Sequence, residues 1–269
     1  MSNFTLSQII LYPAKSLGGI ALTEANIEAR GLEHDRRWML TDPSGKFLSQ
    51  REFPHMALIT PTLEADWLTL AATGLTPLRV PLRSDGDLMP VHVWGSFCDA
   101  VAVSEEADAW FEAYLGVPCR LMYMPDETRR AVNPKYRAGE GIVSFADGYP
   151  ILLLGESSLA GLNERLAQSV PMDRFRPNLV VSGSSAHAED GWTKLRIGDA
   201  VFHGVKPCDR CSMTTIDQAT GTRNGPEPLQ TLATYRLQDQ KILFGQNLIS
   251  DGSGVVRVGD TVEVLEASD

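Results

Sequence analysis

Apolar residues in this chain recur mainly in short alternating runs broken by glycine, proline and aspartate, and only a few stretches carry the longer spacing of a helix. Leu6 to Tyr12 reads as a strand that Pro13 stops. Ile20 to Ala29 and Arg37 to Asp42 follow as strands, with Asp42-Pro-Ser-Gly45 as the turn between Trp38-Met-Leu40 and Phe47-Leu-Ser49. Ala57 to Pro61, Trp67 to Ala71, Leu78 to Leu82 and Pro90 to Trp94 continue the meander, and Cys119 to Met124 adds a further strand. Glu105 to Leu115 is predicted as a helix. Ser104 can cap it, Glu105 and Glu106 suit its positive end, Ala107, Trp110, Phe111, Tyr114 and Leu115 share a face, and Gly116 ends it.

Beyond Met124 the pattern turns polar and basic from Asp126 to Arg137, where a domain boundary or mobile loop is expected. Ile151 to Leu154 is a short buried strand. Glu156 to Leu166 is a helix with Leu159, Leu162 and Leu166 inward, Leu179 to Ser182 a strand, and Pro226 to Arg236 a short helix with Leu229, Leu232 and Tyr235 on one face. Leu195 to Val201 and Val256 to Val262 both read as strand, Gly-Asp turn, strand, which we take as repeated turn chemistry rather than duplication. Strands and helices do not alternate regularly. The expected fold class is therefore mainly β with a few helices, a barrel or sandwich rather than a doubly wound sheet.

Length and charge narrow the picture. The 269 residues suffice for two modest domains, and 43% hydrophobic residues is ordinary for a globular protein. A formal net charge of −10 argues against a nucleic-acid partner or an anionic membrane surface, while leaving room for local basic pockets. The N-terminus lacks the basic region and long apolar core of a signal peptide. The longest purely aliphatic run elsewhere, Ile151-Leu-Leu-Leu154, is far short of the roughly 20 residues of a spanning helix. A cytoplasmic location is expected, and four scattered cysteines do not suggest a disulfide framework.

The densest chemistry lies in Val205-Lys-Pro-Cys-Asp-Arg-Cys-Ser-Met-Thr-Thr215. Cations at Lys206 and Arg210 should favour the thiolate forms of Cys208 and Cys211, making them soft metal ligands or nucleophiles. From these residues alone several readings stay open. One is half of a structural zinc site, with His203 as a third ligand; another is a thioredoxin-like dithiol, although that motif opens a helix and Ser-Met-Thr-Thr-Ile-Asp is helix-poor; a third is two inert cysteines beside a turn.

The segment Lys206-Pro-Cys-Asp-Arg-Cys211 with Thr214-Thr-Ile-Asp217 resembles the cysteine segment of the MOSC family, named for the C-terminal domain of molybdenum cofactor sulfurase. Tyr12-Pro-Ala-Lys-Ser16 with Gly19, Gly31 to Trp38, Phe175-Arg-Pro-Asn178, and Phe244-Gly-Gln-Asn247 followed by Val256-Arg-Val-Gly-Asp260 agree in order over nearly the whole chain. The resemblance implies a β-rich N-terminal domain over 1–124 and a β-barrel MOSC domain over 125–269. It also implies molybdopterin-bound molybdenum as cofactor, with Cys211 as metal ligand and Cys208 as a neighbour. Pyridoxal phosphate binding is a second family-level expectation.

Lys15, Ser16 and Arg36 match cofactor-holding positions, and their ammonium, hydroxyl and guanidinium suit a phosphate; the two glycines beside them, Gly18 and Gly19, are expected to let backbone approach a ligand. Arg176 and Asn178 match a second contacting segment, whose guanidinium and amide suit a pterin edge, and Arg210 joins this set. Because strand neighbours face opposite sides, only one of Arg36 and Arg37 is expected to point inward, and Arg36 is assigned to the cofactor. Asp209 stands where the family pattern has serine, which puts a carboxylate near the metal, either as a candidate catalytic proton donor or only as a group that repels anionic substrates. The activity implied is reduction of N-hydroxylated compounds such as amidoximes or hydroxylamino bases; a cofactor or sulfur carrier working through Cys211 is the alternative. No ferredoxin-type cysteine cluster or dinucleotide fingerprint occurs, so electrons are expected from a separate flavin or iron–sulfur reductase.

Overall fold

The computed structural model describes residues 4–136 and 141–268. The Phe4–Leu11 strand lies in the large sheet, between Leu179–Ser182 and Thr261–Ala267. The order continues through Trp192–Ile197 and Ala200–Asp209 to Lys241–Ser250. Ile151–Gly155 pairs with both Leu179–Ser182 and Lys241–Ser250, which closes seven strands into a barrel. Its interior is filled by Leu6, Ile9, Leu11, Ile151, Leu153, Leu179, Val181, Leu195, Phe202 and Leu248. The first strand is thus part of the barrel, although it lies at the far end of the sequence stretch expected to form the N-terminal domain.

The rest of the N-terminal half builds two smaller sheets. Trp38–Thr41, Arg120–Tyr123, Ser96–Ala102 and Leu88–Val93 make one; Thr60–Leu63, Trp67–Ala71 and Leu78–Pro81 make the other. Helix Glu105–Leu115 packs Ala107, Phe111 and Leu115 into a core with Trp38, Leu40, Leu68, Leu70, Val80 and Leu121. Its caps are those the sequence suggests: the Ser104 side chain accepts from the Ala107 amide, and Gly116 is left-handed at φ 72°.

Several local expectations change. The Ala57–Pro61 stretch is a 3₁₀ turn, Pro54–Leu58, followed by strand Thr60–Leu63, because Pro54 sits at the start of the turn. The helix expected to Leu166 stops at Asn163, whose side chain leaves the helical pattern to bond the backbone of Val170 in both directions. The Gly-Asp echo diverges. Ile197 and Ala200 close a hairpin, whereas Gly254–Arg257 leaves to pair with Glu24–Glu28 and Thr261–Ala267 joins the barrel. In the polar segment after Met124, Arg130 is buried and donates to the carbonyls of Ser144, Ala146 and Asp147, so that this part of the expected loop is anchored. Arg137, its last position, lies outside the described residues. Among the described residues no helix is long and apolar enough to cross a membrane.

Candidate active site

The cysteine segment ends the Ala200–Asp209 strand. Its register against Lys241–Ser250 is irregular between Pro207 and Asp209, so the ladder breaks where the chain must turn into the site. Gly245 makes this approach feasible. It sits at φ 83°, and a Cβ there would lie 2.9 Å from the Leu153 carbonyl. Beyond the strand, Cys211 caps the 3₁₀ turn Ser212–Thr215, and its carbonyl accepts from the Thr214 amide and hydroxyl, both at 3.1 Å. Arg174 fastens that turn by donating to the Thr214 carbonyl and to Asp217 at 3.2 Å. The Thr-Thr-Ile-Asp stretch therefore fixes the backbone of Cys211.

Around this point a cleft gathers Lys15, Ser16, Arg36, Arg176, Asn178, Cys208, Asp209, Arg210 and Cys211, but not Gly18, Gly19, His203 or Lys206. It also brings in Arg51, Asp147 and Arg174, which sequence reasoning missed. The cleft itself holds about 140 Å³ and opens widely to solvent at its mouth. Six cationic side chains line it against the carboxylates of Asp147 and Asp209, so a chain with a net charge of −10 presents a locally basic cleft.

Individual residues hold different places. Cys211 is exposed and Cys208 half-buried. Arg51 Nη1 donates to Cys211 Sγ at 3.4 Å and Arg210 Nη1 to Cys208 Sγ at 3.1 Å. The cations facing the sulfurs are thus Arg51 and Arg210 rather than Lys206 and Arg210, since the Lys206 ammonium lies over the Tyr136 ring at 5.7 Å. His203, weighed above as a zinc ligand, faces Asp251 at 3.2 Å, and no three metal-binding side chains converge among the described residues.

Arg36 and Arg176 lie against the same Tyr12 ring, at 4.5 and 4.2 Å. Both adopt left-handed backbone, φ 47° and 54°. Asp35, behind the cleft, accepts from Arg36 Nη1 at 2.5 Å and from Asn178 Nδ2 and the Tyr12 amide at 2.9 Å. Burial raises the Asp35 carboxyl, and the Arg36 guanidinium opposes that rise. Burial also pulls the Arg176 guanidinium down to about 10, which leaves it charged at neutral pH, and pushes the Tyr12 phenol up to about 12. Arg37 turns the other way, to Met124 and Asp126.

Asn178 is fully engaged. Its oxygen accepts from Arg36 and Leu152, and its amide donates to Asp35 and Ile10, so it braces Arg36 and offers no free amide edge to a pterin. Lys15 is buried and donates to the Phe145 carbonyl at 2.8 Å and to Asp147 at 2.5 Å. Burial lowers its pKa and Asp147 opposes the shift. Packing alone would raise the Asp147 carboxyl, but Lys15, the Trp94 indole and Arg51 hold it well below the usual range. As the one lysine among the described residues lining the cleft, Lys15 has no free amine for pyridoxal phosphate. Gly18 and Gly19 serve chain-to-chain packing rather than a ligand: a Cβ would meet the Ile59 carbonyl at 2.9 Å and the Tyr12 ring at 2.6 Å.

The donor set fits a group that carries both a thiophilic metal and an anionic tail, since an exposed sulfur stands at one side of a cation-rich cleft. Comparisons with known proteins agree. Residues 3–118 match the MOSC N-terminal beta barrel domain and residues 140–263 the MOSC domain. Mitochondrial amidoxime-reducing component 1 of Mus musculus is 35% identical over 97% of this chain and 82% of its own length, and that of Homo sapiens 34% over 97% and 83%. Molybdenum cofactor sulfurase of Oryza sativa subsp. japonica is 34% identical over 91% of this chain and 32% of its own length. With both domains matched and such likeness along almost its whole length, the chain belongs to the MOSC family.

Proposed function

We propose that this protein is a molybdenum-cofactor-dependent oxidoreductase that reduces N-hydroxylated compounds with electrons from a separate flavin or iron–sulfur reductase. The observation that carries the reading is the exposed Cys211 sulfur facing a basic cleft, in a chain similar to amidoxime-reducing components. A molybdenum cofactor held there by these residues would supply two-electron redox chemistry.

Cys211 offers the soft metal ligand, and the backbone bonds to Thr214 hold it in place. Arg176, Arg210 and the guanidinium of Arg36 supply positive charge for the phosphate tail, with Ser16 beside them. Asp35 and Asn178 orient Arg36. Lys15, committed to Asp147, adds charge from within the wall. Replacing N–OH by N–H consumes two electrons and two protons and releases water. Asp209, exposed on the cleft lining, is our candidate to deliver a proton to the departing oxygen.

The test is metal and pterin analysis of protein purified from a cofactor-competent host, beside Arg36→Ala and Cys211→Ser. Stoichiometric molybdenum and pterin in the parent, reduced pterin in Arg36→Ala, and lost amidoxime reduction in Cys211→Ser are expected. Molybdenum-free protein with sulfane sulfur on Cys211 would instead favour a sulfur carrier, a reading to which the exposed thiol and the likeness to a cofactor sulfurase also lend support.

A further inference from the structure

Beside the cleft, on the far side of Arg51, lies a second pocket lined by Lys46, Phe47, Arg51, Glu52, His92 and Trp94. It is an open pocket of about 450 Å³ whose aromatic faces come from Trp94 and the edge of Phe47, large enough to admit a planar ring. Arg51 is the partition. Its guanidinium lies 4.2 Å over Trp94 and 5.8 Å from Phe47, while its Nη1 reaches the Cys211 sulfur.

Trp94 is held there at a cost. It occupies the first position of the two-residue turn between Leu88–Val93 and Ser96–Ala102, at φ 56°, a place that such turns give to glycine or asparagine; here the glycine comes second. A left-handed tryptophan persists only where its surroundings over-determine it. The surroundings here are the Arg51 stack, the tilted Phe47 ring at 5.1 Å and a hydrogen bond from the indole to Asp147 at 3.0 Å. Even so, 52% of the side chain remains exposed, so the ring is offered outward at the rim.

The geometry points to an aryl-binding annex: we infer that the Trp94–Phe47 shelf receives the planar aromatic body of the substrate while its N-hydroxylated head reaches past Arg51 to Cys211. Flat rings bind such a shelf by stacking and by displacing water from apolar walls, and Arg51 adds a cation–π face. Trp94 is then the residue that selects aryl over alkyl substrates. This inference rests on the proposed reductase reading for the identity of the head group.

Cofactor-loaded protein, Trp94→Ala and Trp94→Phe are compared on benzamidoxime and acetamidoxime with an artificial electron donor. The ratio of kcat/KM for aryl over alkyl is expected to fall about tenfold in Trp94→Ala and to return in Trp94→Phe, which keeps a ring but loses the Asp147 bond. In parallel, saturation-transfer NMR on cofactor-free protein should show the aryl protons of benzamidoxime contacting the parent and Trp94→Phe but not Trp94→Ala. An unchanged ratio, an equal loss for both substrates as a partner-docking shelf would give, or undiminished aryl contact in Trp94→Ala overturns the annex. Should the parent reduce neither substrate yet contact the aryl ring through Trp94, the reductase reading fails while the annex stands.

Discussion

The two sulfurs of the cysteine segment sit only three positions apart, yet the structure treats them unequally. Cys211 is exposed and rigidly backed by the Ser212–Thr215 turn, whereas Cys208 is half-buried under Arg210. Cys211→Ser replaces the soft donor by a hydroxyl and should abolish N-hydroxy reduction, while Cys208→Ser should retain substantial activity in samples matched for pterin content. Equal loss would instead indicate a dithiol or zinc pair. Asp147 carries the second residue-level prediction. Its carboxyl is depressed in the folded state, so from about the unfolded value of 3.9 downward the native state binds fewer protons than the unfolded one, and stability falls as pH falls. The midpoint of thermal unfolding in the parent should therefore drop more steeply below about pH 4 than in Asp147→Asn, as calorimetry across pH would show. The cysteines drew attention as soft ligands beside cations, although several uses stayed open for them, and strand alternation said only that one of Arg36 and Arg37 would face inward. Arg51 and Asp147 drew no attention, because an arginine in Gln-Arg-Glu and an aspartate in Ala-Asp-Gly look like ordinary surface and turn residues until the fold brings them to the sulfur and to Lys15.

At the scale of elements, what could be read was whatever local chemistry determines. Helix Glu105–Leu115 announced its cap, its apolar face and its glycine stop, and all three are in place. Removing the cap by Ser104→Ala should cost about 1 kcal/mol in urea unfolding while leaving cofactor content unchanged. Strand Leu179–Ser182 was equally plain because both faces are buried and its run is continuously apolar. What stayed hidden was partnership. Strand Ser96–Ala102 follows Trp94-Gly95 without the usual turn signature, and nothing in Val256 to Val262 shows that its two halves enter different sheets. Those choices are made by distant segments, so no window of neighbouring residues contains them.

For the whole molecule, short strands and scarce helices pointed to a barrel or sandwich and the family resemblance to a barrel, but the division near residue 124 cuts through the barrel, which takes in the first strand. The first strand belongs with strands from the other end of the chain: Thr5 lies opposite both Ser182 and Thr261. Deleting everything after Asp260 should therefore open the barrel rather than trim a tail, since it strips both the first strand and Trp192–Ile197 of a partner. Loss of the cooperative thermal transition in that truncated protein is the expected readout; a normal transition would show that the last strand is dispensable.

The same closure sets a timetable for biogenesis. A cylinder whose first strand waits for Thr261–Ala267 has high contact order, and its ring cannot be completed before that segment has left the ribosome. Cys211 is synthesised well before that moment, just beyond a strand whose cylinder is still unfinished. Any group that needs the finished cylinder as its wall can be housed only once Thr261–Ala267 has been made and paired.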